Sequence, residues 1–302
     1  LGNMMDVNET DMLEYFAQDE DVQVIAIYSE GIADGRKFMN VAREVSKKKP
    51  IVFLKAGKND AGAKAVSSHT GSLAGSYAAY QAAMRQAGVI EVQTINELFS
   101  LAWALGSQPL PKGKRVAMTT NAGGAAALAA DSFDFNGFML AEIAPEIQTR
   151  LREKLNPSAQ VSNPVDMLGS VSPEDYLWSL ENLDDDEGVD VLMPILVPQA
   201  LVNTPGVANS WVEIGKKTEK TILTCLMGER STCESEQMLN LNKVPVFKFP
   251  DQAGPVLKGM WEYKEVLERE VFTEAESQAV NQSALDKAKE AVGERKVIGE
   301  YE

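Results

Sequence analysis

Short runs of β-branched and apolar residues alternate with amphipathic stretches along most of this 302-residue chain, and this alternation limits its fold more than any other feature. In the first third, the pattern predicts strands at about 22–28, 51–55 and 89–92, and helices at about 11–18, 35–48, 72–87 and 95–105. A regular alternation of strands and helices predicts a parallel sheet that is covered by helices on both faces.

A segment rich in proline and glycine, 108–114, separates this series from a second one. The second series predicts a buried strand at 115–120, a helix from about Gly123, strands near 189–196, 221–227 and 245–249, and a last helix at about 252–269. The predicted fold class is therefore α/β, with two flavodoxin-like, doubly wound parallel-sheet domains. The predicted division is 1–108 and 109–270, followed by a polar linker, 271–302, towards a further module.

The composition argues against several classes of function. Lys and Arg number 29 against 44 Asp and Glu, and the resulting net charge of −15 argues against a nucleic-acid partner. No apolar run approaches the roughly 20 residues that a membrane span needs. The two cysteines, Cys225 and Cys233, fit no zinc or redox motif, and their scarcity favours a cytoplasmic location. The acidic run 184–187 is interpreted as a solvated loop, and no metal site is predicted.

The only histidine, His69, lies in a run of small and hydroxyl-bearing residues just before a predicted helix. A helix N-terminus gathers free backbone N–H groups and the positive end of the helix dipole, so it suits an anion. Thr70 or Ser72 would cap this helix, and its first turn lacks the acidic residues that usually favour that position. A hydrogen-bonded structural histidine is the other interpretation of this lone imidazole.

A second glycine-rich turn follows the strand at 115–120, where Gly123 and Gly124 open an alanine-rich helix. Glycine lets the backbone approach a ligand closely. The sequence lacks a complete dinucleotide or phosphate-loop fingerprint, so a plain tight turn between strand and helix remains the alternative. Two converging helix entrances, each with a charge of roughly +0.5, would stabilise a doubly charged phosphoryl group without a permanent cation. A phosphorylated imidazole suits such a site.

Glu30 follows the predicted strand at 22–28 and would lie beyond its carboxyl end, where functional groups collect in parallel sheets. A nucleophilic histidine must be neutral, with one ring nitrogen free and the other held by an acceptor. Glu30 is the predicted acceptor, and a surface carboxylate without function is the alternative.

These motifs resemble those of the NDP-forming acyl-CoA synthetases, the superfamily that includes succinyl-CoA synthetase. The matching runs are Glu30-Gly31-Ile32-x-Asp34-Gly35-Arg36, Lys55-Ala56-Gly57, Ser68-His69-Thr70-Gly71-x-Leu73-Ala74-Gly75, Thr120-Asn121-Ala122-Gly123-Gly124 and Asn163-Pro164-Val165-Asp166-x-x-Gly169. The resemblance covers nearly the whole chain and keeps the family's order of motifs.

The resemblance implies that His69 accepts a phosphoryl group from an acyl phosphate and passes it to ADP, while Glu30 orients the imidazole. It also implies that residues from both helix entrances hold the phosphate. These residues are Ser68, Thr70, Gly71, Ser72, Asn121, Ala122, Gly123 and Gly124. Asn163 and Asp166 match the motif of the second domain and are expected to support the site.

The resemblance further implies substrates and partners for the full enzyme. It would use CoA, ADP or ATP, phosphate, Mg²⁺ and a carboxylic acid, with acetate as the expected acid. A CoA-binding domain and an ATP-grasp domain would come from the same chain or from another subunit. These 302 residues alone are expected to bind no cofactor and not to turn over. The sequence leaves open whether the protein forms a homodimer.

Two alternatives come from other classes of protein. Some relatives carry a lysine acetyltransferase domain and use the synthetase-like part as a regulatory module, but these commonly lack the histidine. A flavodoxin-like FMN protein is the other alternative, although the chain lacks the aromatic loops that would flank the flavin.

Overall fold

Two parallel sheets form the framework of the protein in a computed structural model, which describes residues 4, 6–32, 34–59, 61–65, 77–228 and 230–269. Both sheets belong to one compact unit, Leu1–Leu267. The fold class predicted from the sequence, α/β with parallel sheets, is confirmed.

The first sheet has the strand order β1-β2-β3, and its strands pair in parallel. The strands are β1 (Ile25–Ser29), β2 (Ile51–Lys55) and β3 (Ile90–Val92). The helices of this part are α1 (Glu9–Gln18), α2 (Gly35–Ser46), helical residues 61–65 (α3), α4 (Tyr77–Gln86) and α5 (Ile95–Ser107). Local capping sets two of the starts, because Asp34 accepts a hydrogen bond from an N–H in the first turn of α2 and Thr94 does the same for α5. The helix predicted at 72–87 is observed from Tyr77, and residues 66–76 lie outside the described residues.

The second sheet contains seven short parallel strands. They are β4 (Arg115–Thr120), β5 (Met139–Leu140), β6 (Val165–Asp166), β7 (Val191–Leu196), β8 (Thr221–Ile222), β9 (Thr224–Leu226) and β10 (Val246–Phe247). The helices around them are α6 (Gly123–Phe135), α7 (Pro145–Lys154), α8 (Pro173–Asp184), α9 (Thr204–Lys217), α10 (Cys233–Leu241) and α11 (Ala253–Glu268), with a 3₁₀ turn at Pro250–Gln252.

The seven strands occupy five positions in the sheet. β5 and β6 pair with opposite ends of β4, and β8 and β9 pair with opposite ends of β7. Numbered by first appearance, the five positions follow the flavodoxin order 2-1-3-4-5. The order of the strands therefore reverses between β4 and β7.

One apolar core contains residues from both sheets. It joins side chains of β2, β3 and α5 with side chains of β4, α6 and α11. Gly259 lets α11 approach α5 closely, because a Cβ atom there would lie 2.4 Å from Cδ2 of Leu101. Cys225 is fully buried in the same core, as predicted, and burial raises the pKa of its thiol to about 12.

Within the described ranges, none of the helices combines the length and apolar character that a bilayer crossing requires.

The prediction that the acidic run 184–187 is a solvated loop is wrong for Asp186. This residue is only 4% exposed, and its carboxylate accepts hydrogen bonds from the backbone N–H groups of Ala144 and Gly188. Lys220 lies beside the run and donates to the carbonyl oxygens of Leu183, Asp184 and Asp186 at 2.6–3.2 Å. The ammonium thus binds carbonyl groups at and just after the end of α8, and the run is part of a helix cap.

The first residue of β4 is tied to the start of β7 by a charged pair. Arg115 donates three hydrogen bonds of 2.8–2.9 Å to the carboxylate of Asp190, one of them from its backbone N–H. Burial tends to raise the pKa of the Asp190 carboxyl, but the hydrogen bonds from Arg115 outweigh burial and hold the pKa below its ordinary value. The pair therefore favours the charged carboxylate in the folded protein.

We expect Asp190→Asn to lower the free energy of unfolding at neutral pH by about 2 kcal/mol, because it removes charge from three hydrogen bonds at a buried position. The folded-state pKa lies below the ordinary value of 3.8, so the stabilisation is complete above that pH and is lost as the pH falls through the folded-state pKa. Urea unfolding at neutral and acidic pH should show the gap between variant and wild type closing in acid. Asp185→Asn, which removes an exposed pair with Arg150, is the control and should change stability by less than about 0.5 kcal/mol. A gap that is the same at both pH values would contradict this account.

Candidate functional site

Glu30 lies just beyond the carboxyl end of β1, as predicted from its place in the sequence. The turn that carries it is held by Ser29, whose hydroxyl accepts the backbone N–H of Gly31 at 3.1 Å. Glu30 is half-buried, and among the described residues no donor lies within hydrogen-bond distance of its carboxylate. Its carboxylate is therefore available as an acceptor at this edge of the sheet.

Lys55 fixes the backbone of this turn from the end of the neighbouring strand β2. Its ammonium donates to the carbonyl oxygen of Glu30 at 2.6 Å and to that of Ala56, and it lies 5.5 Å from the ring centroid of Tyr80. Burial lowers the pKa of Lys55 below its ordinary value, while the Glu30 carboxylate acts in the opposite direction. A cation thus lies next to the predicted acceptor.

A second polar network lies at the carboxyl end of β3. The Glu91 carboxylate accepts hydrogen bonds from the hydroxyl of Tyr77 at 2.6 Å and from Nε2 of Gln81 at 3.1 Å. The ammonium of Lys58 lies 3.6 Å from the same carboxylate and donates to the carbonyl oxygen of Val92. Burial, followed by the hydrogen bond to Glu91, raises the pKa of Tyr77 to about 12. This network joins the first residue of α4 to the end of β3.

The predicted phosphate carrier and its neighbours fall between α3 and α4, in the segment 66–76 that lies outside the described residues. This applies to His69 and to four predicted phosphate-binding residues, Ser68, Thr70, Gly71 and Ser72. Their roles stay predictions.

The second predicted helix entrance lies at the topological switch point of the second sheet. The chain leaves β4 and enters α6 at Gly123, and the strand order reverses between β4 and β7. The amide of Asn121 spans the switch point, since its Nδ2 donates to the carbonyl oxygen of Val197 and its Oδ1 accepts the backbone N–H of Val197, both at 2.9 Å. In open α/β sheets, ligands bind in the crevice at such a point.

The N-terminus of α6 presents two backbone donors at the switch point. Ala122 occupies the cap position without a side-chain cap, and its own N–H donates to Oγ1 of Thr120 at 3.0 Å. Among the described residues, the backbone N–H groups of Gly123 and Gly124 have no hydrogen-bond acceptor. The first turn carries no acidic residue, so these two donors can meet an anion from outside the helix.

Asn163 fixes the strand that leads into this entrance, because its side-chain amide is hydrogen-bonded to the backbone of β4. Its Oδ1 accepts the backbone N–H of Met118 at 3.0 Å, and its Nδ2 donates to the carbonyl oxygens of Val116 at 2.7 Å and Ala141 at 3.0 Å. The peptide bond from Asn163 to Pro164 is cis. These contacts bind the segment before β6 to the backbone of β4.

Asp166 ends β6 and lies beside the same helix entrance. Its Oδ1 accepts the backbone N–H of Leu168 at 3.0 Å, and its Oδ2 lies 3.1 Å from the position that a Cβ atom at Gly123 would occupy. The first turn of α6 therefore has a carboxylate nearby, although its own sequence contains none. The resemblance gave Asp166 as a supporting residue, but the residues alone did not place its carboxylate beside Gly123, because it comes from a strand that follows α6 by about thirty residues.

Neither of the two lysines at the first sheet was predicted as a site residue, although Lys55 lies in one of the matching runs. Lys55 and Lys58 flank the end of β2 and place cations near Glu30 and Glu91. Their position at the carboxyl end of a predicted buried strand was the available signal, because such positions lie at the functional edge of a parallel sheet. Within the described residues, no group of three or more His, Cys, Asp or Glu side chains could hold a metal ion.

Comparison with known proteins identifies the family to which this chain is similar. Residues 1–105 match the succinyl-CoA ligase-like flavodoxin domain, and residues 116–260 match the ligase-CoA domain. The ADP-forming acetate–CoA ligase I of Archaeoglobus fulgidus is 43% identical over 270 residues, which cover 89% of this chain and 38% of the relative. The chain belongs to the NDP-forming acyl-CoA synthetase family. The alpha subunit of the ADP-forming acetate–CoA ligase II of Pyrococcus furiosus is 42% identical over 260 residues, or 84% of this chain and 56% of the subunit.

A solved structure of this synthetase family has the same fold. The dinucleotide-forming acetyl-coenzyme A synthetase 1 of Ca. Korarchaeum cryptofilum, in complex with phosphate and ADP, superposes with a TM-score of 0.81 at 31% identity. The superposition covers 88% of this chain and 58% of that chain. The chain thus spans between about two fifths and three fifths of the length of these relatives.

Proposed function

We propose that this chain is the phosphohistidine-bearing core of an ADP-forming acyl-CoA synthetase, with acetate as the expected acid. Phosphate displaces CoA from acyl-CoA to give an acyl phosphate. A ring nitrogen of His69 then attacks phosphorus and releases the carboxylate, and ADP takes the phosphoryl group from His69 to give ATP. The observation that carries this proposal is the uncapped entrance of α6 at the switch point, in a chain whose relatives are named as ADP-forming acetate–CoA ligases.

Glu30 would hold the imidazole in the reactive tautomer by accepting the N–H of the ring nitrogen that does not react. Two observations support this role: its carboxylate has no donor among the described residues, and Lys55 fixes its backbone at 2.6 Å. Lys55 is then a positioning residue, because it holds Glu30 through the carbonyl oxygen.

The N–H groups of Gly123 and Gly124 would bind the phosphoryl oxygens, with Asn121 and Ala122 shaping the turn. An anion at this entrance would lie beside the Asp166 carboxylate. Repulsion between the two negative charges weakens binding, and moderate binding suits a phosphoryl group that must move in both directions.

The remaining reactants would meet this core in the full enzyme. CoA, the carboxylic acid, nucleotide and Mg²⁺ would be held mainly by a CoA-binding domain and an ATP-grasp domain, on the same polypeptide or on another subunit. One of the relatives carries the name of an alpha subunit, which supports a division between subunits. The domain boundaries at 108 and 270 and the linker 271–302 belong to this proposal.

The test of this function is formation of ATP from acetyl-CoA, ADP and phosphate by the complete protein. We expect release of one CoA for each ATP, together with an acid-labile, alkali-stable phosphoprotein when ADP is left out. A protein that binds acetyl-CoA or nucleotide but forms neither ATP nor phosphoprotein would instead be a regulatory module.

We expect Glu30→Gln to slow phosphorylation of the protein by a factor on the order of 10², because a neutral amide holds the imidazolium-like transition state less well than a carboxylate. Stability should change little, since the carboxylate is half-buried and accepts no hydrogen bond among the described residues. Rapid-quench measurements with labelled ATP give the rate, and Glu20→Gln at an exposed position is the matched control. An unchanged rate would remove Glu30 from the site.

A further inference from the structure

Strand β1 forms an open edge of the first sheet, because among the described residues it pairs with β2 alone. The backbone N–H of Ala56 donates to the carbonyl oxygen of Ser29, so Ser29 and the other odd-numbered residues of β1 direct their hydrogen bonds towards β2. Alternate residues of a strand direct their N–H and C=O groups to opposite sides. The backbone groups of Ala26 and Tyr28 therefore point away from β2 and can pair with a further strand.

The sequence of β1 does not protect this edge. Natural sheets protect their edges with short strands, charged side chains, proline or bulges. β5 and β10, which end the second sheet, have two residues each, and β3, at the other edge of the first sheet, contains Glu91. β1 has five residues without a charge or a proline. An edge of this kind is expected to be paired in the native protein.

One face of β1 is also uncovered. Ile25 and Ile27 pack in an apolar core with residues of α2 and α4, so the side chains of Ala26 and Tyr28 point to the opposite face. Both are exposed there, and Tyr28 is 58% exposed. Parallel sheets are normally covered by helices on both faces. Among the described residues, no helix covers this face of β1 at Ala26 and Tyr28.

An apolar stripe on α5 borders the uncovered face. It consists of Ile95, Phe99 and Trp103, which are spaced by four residues on one side of the helix and are 53%, 66% and 40% exposed. Gly106 continues this side of α5, and a Cβ atom there would lie 3.5 Å from Cγ2 of Val24, just before β1. The open edge, the uncovered face and the α5 stripe thus form one continuous surface.

We propose that a β-strand and a helix from another part of the complete protein, outside these 302 residues, cover this surface. The strand would pair with β1 in parallel, the direction of every pair of named strands in the two sheets. The helix would cover Tyr28 and pack on the α5 stripe. The relatives are long enough to contain such a unit, since the matched part covers 56% of the Pyrococcus furiosus alpha subunit and 58% of the Ca. Korarchaeum cryptofilum chain.

A second copy of this chain fits the surface less well. Two identical edges related by a two-fold axis pair in antiparallel, whereas all pairs of named strands are parallel. The net charge of −15 on each copy would also oppose their association.

Hydrogen exchange at the backbone amides of Ala26 and Tyr28 tests the proposal, because it reports pairing of the β1 edge and needs no turnover. We expect exchange at these amides to be at least about 100-fold slower in the complete protein than in chain 1–302, where the edge is open. The amide of Ile27, which faces β2, is the internal control and should be protected in both. Equal exchange of Ala26 and Tyr28 in the two proteins would overturn the proposal. Protection in chain 1–302 that grows with its concentration would overturn it in favour of a second copy.

Variants of the complete protein test the contact with α5. Phe99→Asp places a charge on the α5 stripe and should speed exchange at Ala26 and Tyr28 at least about tenfold. The same change should have no effect in chain 1–302, where Phe99 is 66% exposed. Phe135→Asp on α6, at a position that is 90% exposed, is the matched control and should leave exchange unchanged in both proteins. If Phe99→Asp prevents folding of the complete protein, Phe99→Ala decides. Wild-type exchange in the deciding variant would overturn the proposed packing on α5.

Discussion

Replacing His69 with alanine should abolish acyl-CoA synthesis by the complete synthetase, with a loss on the order of 10⁶-fold in turnover, as is found when a covalent nucleophile is removed. No second histidine in the chain can take over the phosphoryl group. Incubation with γ-labelled ATP, followed by alkaline gel electrophoresis, measures the label directly, and the variant should carry none.

Two controls make this result specific. His69→Gln keeps a polar side chain of similar size and should be equally inactive, because an amide nitrogen is not nucleophilic. The midpoint of thermal unfolding should stay within a few degrees of wild type in both variants, which separates loss of chemistry from loss of fold. Alkali-stable label in either variant would refute the assignment of His69 as the carrier.

The second large effect concerns stability. Asn163→Ala should lower the free energy of unfolding by about 3 kcal/mol, because each of its three hydrogen bonds contributes about 1 kcal/mol and the N–H of Met118 loses its acceptor. For a unit of this size, that corresponds to a decrease of roughly 6–12 °C in the melting temperature. Urea unfolding followed by circular dichroism gives the free energy, and calorimetry gives the temperature.

Ser162→Ala is the neighbouring control, because the Ser162 hydroxyl is exposed and accepts a bond only from Gln160 among the described residues. It should change stability by less than about 0.5 kcal/mol. If Asn163→Ala behaved like Ser162→Ala, the amide of Asn163 would not be what binds β6 to β4.

The sequence predicts the long elements of this fold well. The strand predicted at 115–120 is observed as β4 with the same bounds, and the helix predicted from Gly123 is observed as α6. Both have a strong local signal, a continuous apolar run in one case and an alanine-rich stretch after two glycines in the other. The predicted strand at 221–227 is observed as β8 and β9, which are separated by Leu223.

The two-residue strands β5 and β6 were not predicted. β5 and β6 are too short to show a period, and they exist because the edge of β4 offers hydrogen bonds at both of its ends. The site could also be predicted only in part, because contacts that depend on strand pairing leave no local pattern in the sequence. Glu30 could be proposed from its place after a strand, whereas the approach of Asp166 to Gly123 depends on a register that the residues themselves do not reveal.

The apolar core common to both sheets has a consequence for how a phosphoryl carrier could travel. Pulling the sheets apart would bring Leu101 and its neighbours on α11 into water, at a free-energy cost of about 25 cal/mol for each Å² of apolar surface. Rotation of one sheet against the other is therefore an unfavourable way to move a phosphoryl group between distant reaction centres. Movement of the phosphoryl group over such a distance is better achieved by chain segments that contribute no side chain to the core between the two sheets.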